Sequence, residues 1–89
     1  MKDGLNILAN GDKHWFLNDK LHREDGPAIE GADGYKAWYL NGKRHRIDGP
    51  AIEWADGSKS WFLNGKEIKP RVLVEKGFMT EREMFLETL

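Results

Sequence analysis

The chain has 89 residues, 39% of them hydrophobic and 33% charged, and its 14 Lys and Arg against 15 Asp and Glu leave a formal net charge of −1. With the two signs interleaved along the chain, that balance excludes the one-signed face required by a generic DNA-binding surface or an acidic DNA mimic. The absence of cysteine removes disulfide frames and thiolate metal sites, and no apolar run approaches the ~20 residues that span a bilayer.

Met1 leads into a polar segment without the basic start and apolar stretch of a secretory signal, so a reducing cytoplasm is the expected location. β-forming segments then follow in pairs, at about 5–8 and 13–17, 27–31 and 36–40, and 50–54 and 59–63. Between the members of each pair stands an Asx-Gly dipeptide: Asn10-Gly11, Asp33-Gly34 and Asp56-Gly57. Such dipeptides take the positive φ angles of two-residue type I′ loops, so three antiparallel hairpins are expected. With two-residue loops, Ile29 opposes Trp38, Pro27 opposes Leu40, Ile52 opposes Trp61 and Pro50 opposes Leu63. One face then carries Trp15, Ile29, Trp38, Ile52 and Trp61, while Phe16, Tyr39 and Phe62 form a spaced aromatic ladder on the other.

The pairs are copies of one another. Residues 21–43 and 44–66 are identical at 17 of 23 positions, and residues 9–20 match 32–43 at 7 of 12. Self-similarity at a fixed period marks a repeat array whose units stack on their neighbours. The linking segment from Asn41 to Gly49 holds the basic cluster Lys43, Arg44, His45 and Arg46. After Lys66 the repeat breaks. "VLVE" at 72–75 reads as a final strand, and Thr80 to Glu83 as a capping box, with Met79 and Met84 as a staple, opening a short helix to Leu89. The fold class expected is all-β and mainly antiparallel: a meander of repeated hairpins in an elongated sheet with a short C-terminal helix. It forms one domain over 1–89, with units at about 1–20, 21–43 and 44–66 and a strand and helix cap over 67–89.

Across residues 9–66, the recurring Ala32-Asp33-Gly34, Trp38, Leu40-Asn41-Gly42-Lys43, His45-Arg46 and Asp48-Gly49-Pro50-Ala51 resemble the MORN-type repeat in its YwqK-like variant. What the resemblance implies is an elongated scaffold of hairpins used for protein contacts, in small proteins of bacteria and bacteriophages, some carrying an antitoxin label.

Three histidines invite a metal or general-base reading, but His22 and His45 recur one period apart in loops with no ligand spacing around them, as structural loop residues do. Arg23 and Arg46 each precede an aspartate by two residues, Asp25 and Asp48, and read as loop-closing pairs. Trp54 replaces Gly31 of the preceding unit. It either covers the sheet end beneath the terminal helix or is an exposed contact of the hot-spot type. The candidate partner contacts are Tyr39, Trp54, Phe62, Arg44, His45, Arg46 and Phe85. No catalytic, cofactor or metal site is expected. The function expected is a non-enzymatic protein-binding module, a phage-encoded inhibitor of a bacterial defence complex of the anti-CRISPR type acting by surface occlusion. The alternatives are an antitoxin-like protein or a weak nucleic-acid binder. A homodimer is expected from the unpaired sheet ends; a membrane partner is not.

Overall fold

The structure, a computed structural model, describes residues 3–77, 80 and 82. The elements with described bounds are, in chain order, β1 (Gly4–Ile7), β2 (Lys13–Leu17), β3 (Lys20–Leu21), β4 (Ile29–Glu30), β5 (Lys36–Ala37), β6 (Tyr39–Leu40), β7 (Lys43–Arg44), β8 (Ile52–Glu53), β9 (Lys59–Leu63), β10 (Lys66–Ile68) and α1 (Pro70–Glu75). All strand pairs are antiparallel, and the main sheet runs β1-β2-β4-β5-β8-β9-β10. The fold is therefore the expected sheet of hairpins, drawn out to 40 × 26 × 18 Å. The expected 80–89 helix, with Phe85, lies outside the described residues, apart from Thr80 and Arg82 themselves.

Each unit makes its two turns differently, and this corrects the expected register. The type I′ turns are Asn41-Gly42 (φ 52° and 80°), Asn64-Gly65 (51° and 84°) and Asn18-Asp19 (52° and 63°), joining Leu40 to Lys43, Leu63 to Lys66 and Leu17 to Lys20. At the Asp-Gly turns only the glycine has positive φ: Gly34 at 102° and Gly57 at 92°. There Gly34 N–H donates to the Gly31 carbonyl (3.1 Å) and Gly31 N–H to the Tyr35 carbonyl (2.6 Å), closing a three-residue loop with a glycine bulge. The Asp33 carboxylate accepts the Tyr35 N–H at 3.1 Å, and Asp56 repeats the contact with Ser58 at 2.9 Å. An aspartate side chain thus holds the turn in a form that keeps its own φ negative.

The extra loop residue moves every partner by one. Ile29 opposes Ala37, not Trp38, and Ile52 opposes Ser60, not Trp61. Because side chains alternate across a sheet, the tryptophans and isoleucines expected to share a face lie on opposite ones. The tryptophan face carries Trp15, Trp38, Trp61 and the leucines two residues on. It also carries a row of directly opposed charges running Lys13, Glu30, Lys36, Glu53, Lys59. The other, here the tyrosine face, carries Phe16, Tyr35, Tyr39, Ile29, Ile52 and Phe62.

Among the described residues burial is confined to Ala28, Ala37, Pro50, Ala51, Ile52, Trp61 and Leu73, none of them polar. Two of the alanines are tied to the neighbouring unit by the backbone, the Trp15 N–H donating to the Ala28 carbonyl (2.8 Å) and the Trp38 N–H to that of Ala51 (2.7 Å). At the far end, Leu73 of α1 seats on Trp61 with Leu63, Ile68 and Val74 around it. Residues 72–75, expected as a strand, belong to this helix. Pro70 at its first position, where the missing N–H costs nothing, starts it, and Gly77 (φ 81°) follows its end. Six residues hold helical form only because Leu73 is docked.

Candidate protein-binding face

The recurrent arginines are built into the fold. Arg23 Nε donates to Asp25 (3.0 Å), and its Nη1 donates to the Pro27 carbonyl (3.2 Å) and to Glu30 (2.9 Å), while the guanidinium stacks 3.8 Å above the Trp15 ring. Arg46 repeats this with Asp48 (3.0 Å), the Pro50 carbonyl (3.1 Å), Glu53 (3.3 Å) and Trp38 (3.9 Å). The Arg–Asp closure inferred from spacing is thus present, as one edge of a larger bracket. A Cβ at Gly49 would stand 2.7 Å from the Arg46 guanidinium carbon, so a side chain there would push the guanidinium out of its bracket. Between the two bracketed loops lies a groove of about 430 Å³, floored by Trp38 and flanked by Arg23, Asp25, Arg46 and Asp48. Its two arginines are already paired with its two aspartates.

The histidines tie the start of a unit to its end. His22 Nδ1 accepts the Asn41 N–H and His45 Nδ1 accepts the Asn64 N–H, each at 2.9 Å. An accepting Nδ1 places the ring proton on Nε2. Asp12 stitches the first joint, accepting the Ala32 N–H at 2.8 Å, and this bond, followed by that from Asn10, holds its carboxyl below the usual aspartate value. Among the described residues no three His, Asp or Glu side chains gather as a metal site, and no helix is long and apolar enough to cross a membrane.

The remaining candidates meet on the tyrosine face. Arg44 directly opposes Tyr39, donates from Nε to the Tyr39 hydroxyl at 3.1 Å, and lies 6.0 Å from the Tyr39 ring and 5.3 Å from that of Phe62. It is exposed, and no carboxylate among the described residues forms an ion pair with it. A depression of about 240 Å³ beside it is bounded by Tyr39, Lys43 and the turn glycines Gly42 and Gly65. Further along the same face Trp54 is 40% exposed, its ring centroid 6.5 Å from that of Tyr35. Burial is the main cause that raises the Tyr35 phenol above its ordinary pKa, with the neighbouring Tyr39 second. Sequence reasoning missed Tyr35; the available signal was that it stands where the next unit has Ser58, beside the equally unmatched Trp54.

The structure therefore separates the candidates. Tyr39, Arg44, Phe62 and Trp54 share one face, whereas His45 and Arg46 are committed to bonds within the scaffold.

The two full units differ at six positions, 21/44, 24/47, 31/54, 35/58, 37/60 and 39/62. Five of the six fall on the tyrosine face; the sixth, Glu24/Ile47, is in the bracketed loop. The tryptophan face is repeated without change between them. No family model matches the chain, and no curated protein or solved structure matches it.

Proposed function

We propose that the chain is a non-enzymatic protein-binding repeat module, a scaffold of the MORN-type kind, that occludes a partner through its tyrosine face. The observation that carries this reading is the placement of the unit-to-unit differences. Five of the six divergent positions fall on that face, and the side chains they place there include Arg44, Trp54, Tyr35 and Tyr39. Arg, Trp and Tyr are the residue types that dominate binding energy at protein interfaces. An exposed guanidinium oriented by two rings and lacking a carboxylate favours an acidic partner surface.

The partner we favour is a bacterial defence complex of the CRISPR-effector class, met in the cytoplasm of a phage-infected cell, because occlusion requires surface and no site chemistry. The test is transformation of cells with active interference by a targeted plasmid, with and without the protein. Relief by the wild-type chain and its loss in the Arg44→Glu/Trp54→Ala variant is the expected result. Each hot-spot truncation removes about 2 kcal/mol, roughly thirty-fold in affinity. A Lys36→Ala change on the opposite face leaves relief intact. No relief by the wild type overturns the defence partner, and relief equal in the folded variant overturns the face.

A further inference from the structure

The two ends of the sheet are finished differently. At the C-terminal end α1 lies over Trp61 and closes the stack. At the other end, β1 occupies the place that β4 and β8 occupy in their units, with Leu5, Asn6 and Ile7 equivalent to Ala28, Ile29 and Glu30 and to Ala51, Ile52 and Glu53. In the interior, the outward carbonyls of Ala28 and Ala51 accept the N–H groups of Trp15 and Trp38 in the preceding unit. In β1, Leu8 N–H bonds to the Asp12 carbonyl, so by alternation Asn6 and Gly4 face β2 while the N–H and C=O groups of Leu5 and Ile7 point away from it. Among the described residues nothing pairs with them.

Sequence deepens the contrast. Solvent-facing edge strands are ordinarily protected by charge or proline. β1 reads Gly-Leu-Asn-Ile, and where the interior units have Ala and Glu it has Leu5, 48% exposed, and Ile7, 64% exposed. Leu8 beyond them is 43% exposed. The edge has thus gained apolar area at the two positions that an added strand would cover.

We infer that β1 is the dimer edge of this protein and that its occupant is β1 of a second copy, antiparallel, with the two-fold axis at Asn6. The outward groups select this partner. Leu5 and Ile7 lie symmetrically about Asn6, so the strand is its own complement: Leu5 exchanges two hydrogen bonds with the second copy's Ile7, and Ile7 two with its Leu5. Their side chains, on the tryptophan face in both copies, then cover one another across the axis. The axis stands perpendicular to the sheet, so both tyrosine faces look the same way.

Light scattering and amide hydrogen exchange on the purified chain test this. The expected mass at high concentration is twice the 10.3 kDa of one chain, with the Leu5 and Ile7 amides protected. Ile7→Glu is the discriminating variant, because the scaffold already accepts Glu30 and Glu53 at that position opposite a lysine, and Ile7 faces Lys13. It keeps the circular dichroism of the wild type but runs as a monomer, with a melting point that no longer rises with concentration and with the amides at positions 5 and 7 exchanging freely. In this cysteine-free chain, Asn6→Cys cross-links two copies on mild oxidation, since directly opposed residues of a non-hydrogen-bonded pair approach disulfide distance. Ser58→Cys, on another hairpin, does not. A wild-type monomer at every concentration with no Asn6→Cys cross-link overturns the proposal. So does a dimer that survives Ile7→Glu with those amides unprotected, which assigns the contact to a sheet face.

Discussion

Trp38 and Trp61 hold the same place in successive units and are covered in opposite ways. Trp38 is half-buried under the Arg46 guanidinium, which three acceptors hold over the ring. Trp61, 5% exposed, lies under Leu73 of α1, and its Nε1 is buried without a hydrogen-bond partner. The repeat position therefore requires a cover over the indole, and the chemistry of the cover depends on what comes next. A thin cationic plate leaves room for another unit to stack, while a helix fills that room and ends the array. The sequence change that switches one to the other is small: Lys69-Pro70-Arg71 stands where Arg46-Ile47-Asp48 stands one period earlier.

Removing the helical cover gives the largest expected effect. Leu73→Ala opens a cavity over Trp61 and detaches a helix too short to persist alone, costing about 2–4 kcal/mol in urea unfolding. Trp61 fluorescence shifts to the red with it. A smaller effect comes from the cationic cover. Arg46→Lys keeps the charge but loses the planar stack and the simultaneous reach to Asp48, Pro50 and Glu53, and costs about 1–2 kcal/mol by the same measurement. Lys69→Ala, one period on, changes stability by less than about 0.5 kcal/mol, as expected where the exposed side chain covers nothing. Equal costs at 46 and 69 break the comparison. A change at the ring itself also has a small effect. Trp61→Phe removes buried contacts and also an unpaired donor, and the two offset to within about 1 kcal/mol in thermal or chemical unfolding.

The architecture was legible because repetition and turn residues both bear on it, and neither depends on register. The register was not. Asp33-Gly34 and Asn41-Gly42 are chemically similar dipeptides, yet the first places only its glycine at positive φ and the second places both residues there. The deciding contact, Asp33 to the Tyr35 N–H, forms only once the loop has three residues. From that one uncertainty the whole assignment of faces followed. Residues 72–75 misled for another reason: the alternation of Val72 and Val74 with longer side chains suits a strand, and the overriding signal was Pro70, two residues upstream. The site was half legible. Arg-x-Asp spacing revealed the loop closure, but the stack of Arg46 on Trp38 joins residues eight apart and needs the curvature of the intervening turn. The tyrosine face emerges only when the differences between units are placed on the correct register.

The histidine bonds have a consequence for how such a chain is inherited. Arg46 finds all three of its acceptors within seven residues, and His22 and His45 reach Asn41 and Asn64 19 residues on, so each of these bonds closes within one unit. Units meet instead through the Trp38 N–H on the Ala51 carbonyl and the Arg46 guanidinium over Trp38. A gene duplication that copies a whole 23-residue unit therefore supplies both its internal bonds and the contacts to its neighbours in a single event. A length change that is not a multiple of that period leaves one of these contacts unmade. Growth in whole units, followed by substitution at the few positions that face outward, gives a lineage a way to enlarge its contact surface without redesigning its frame.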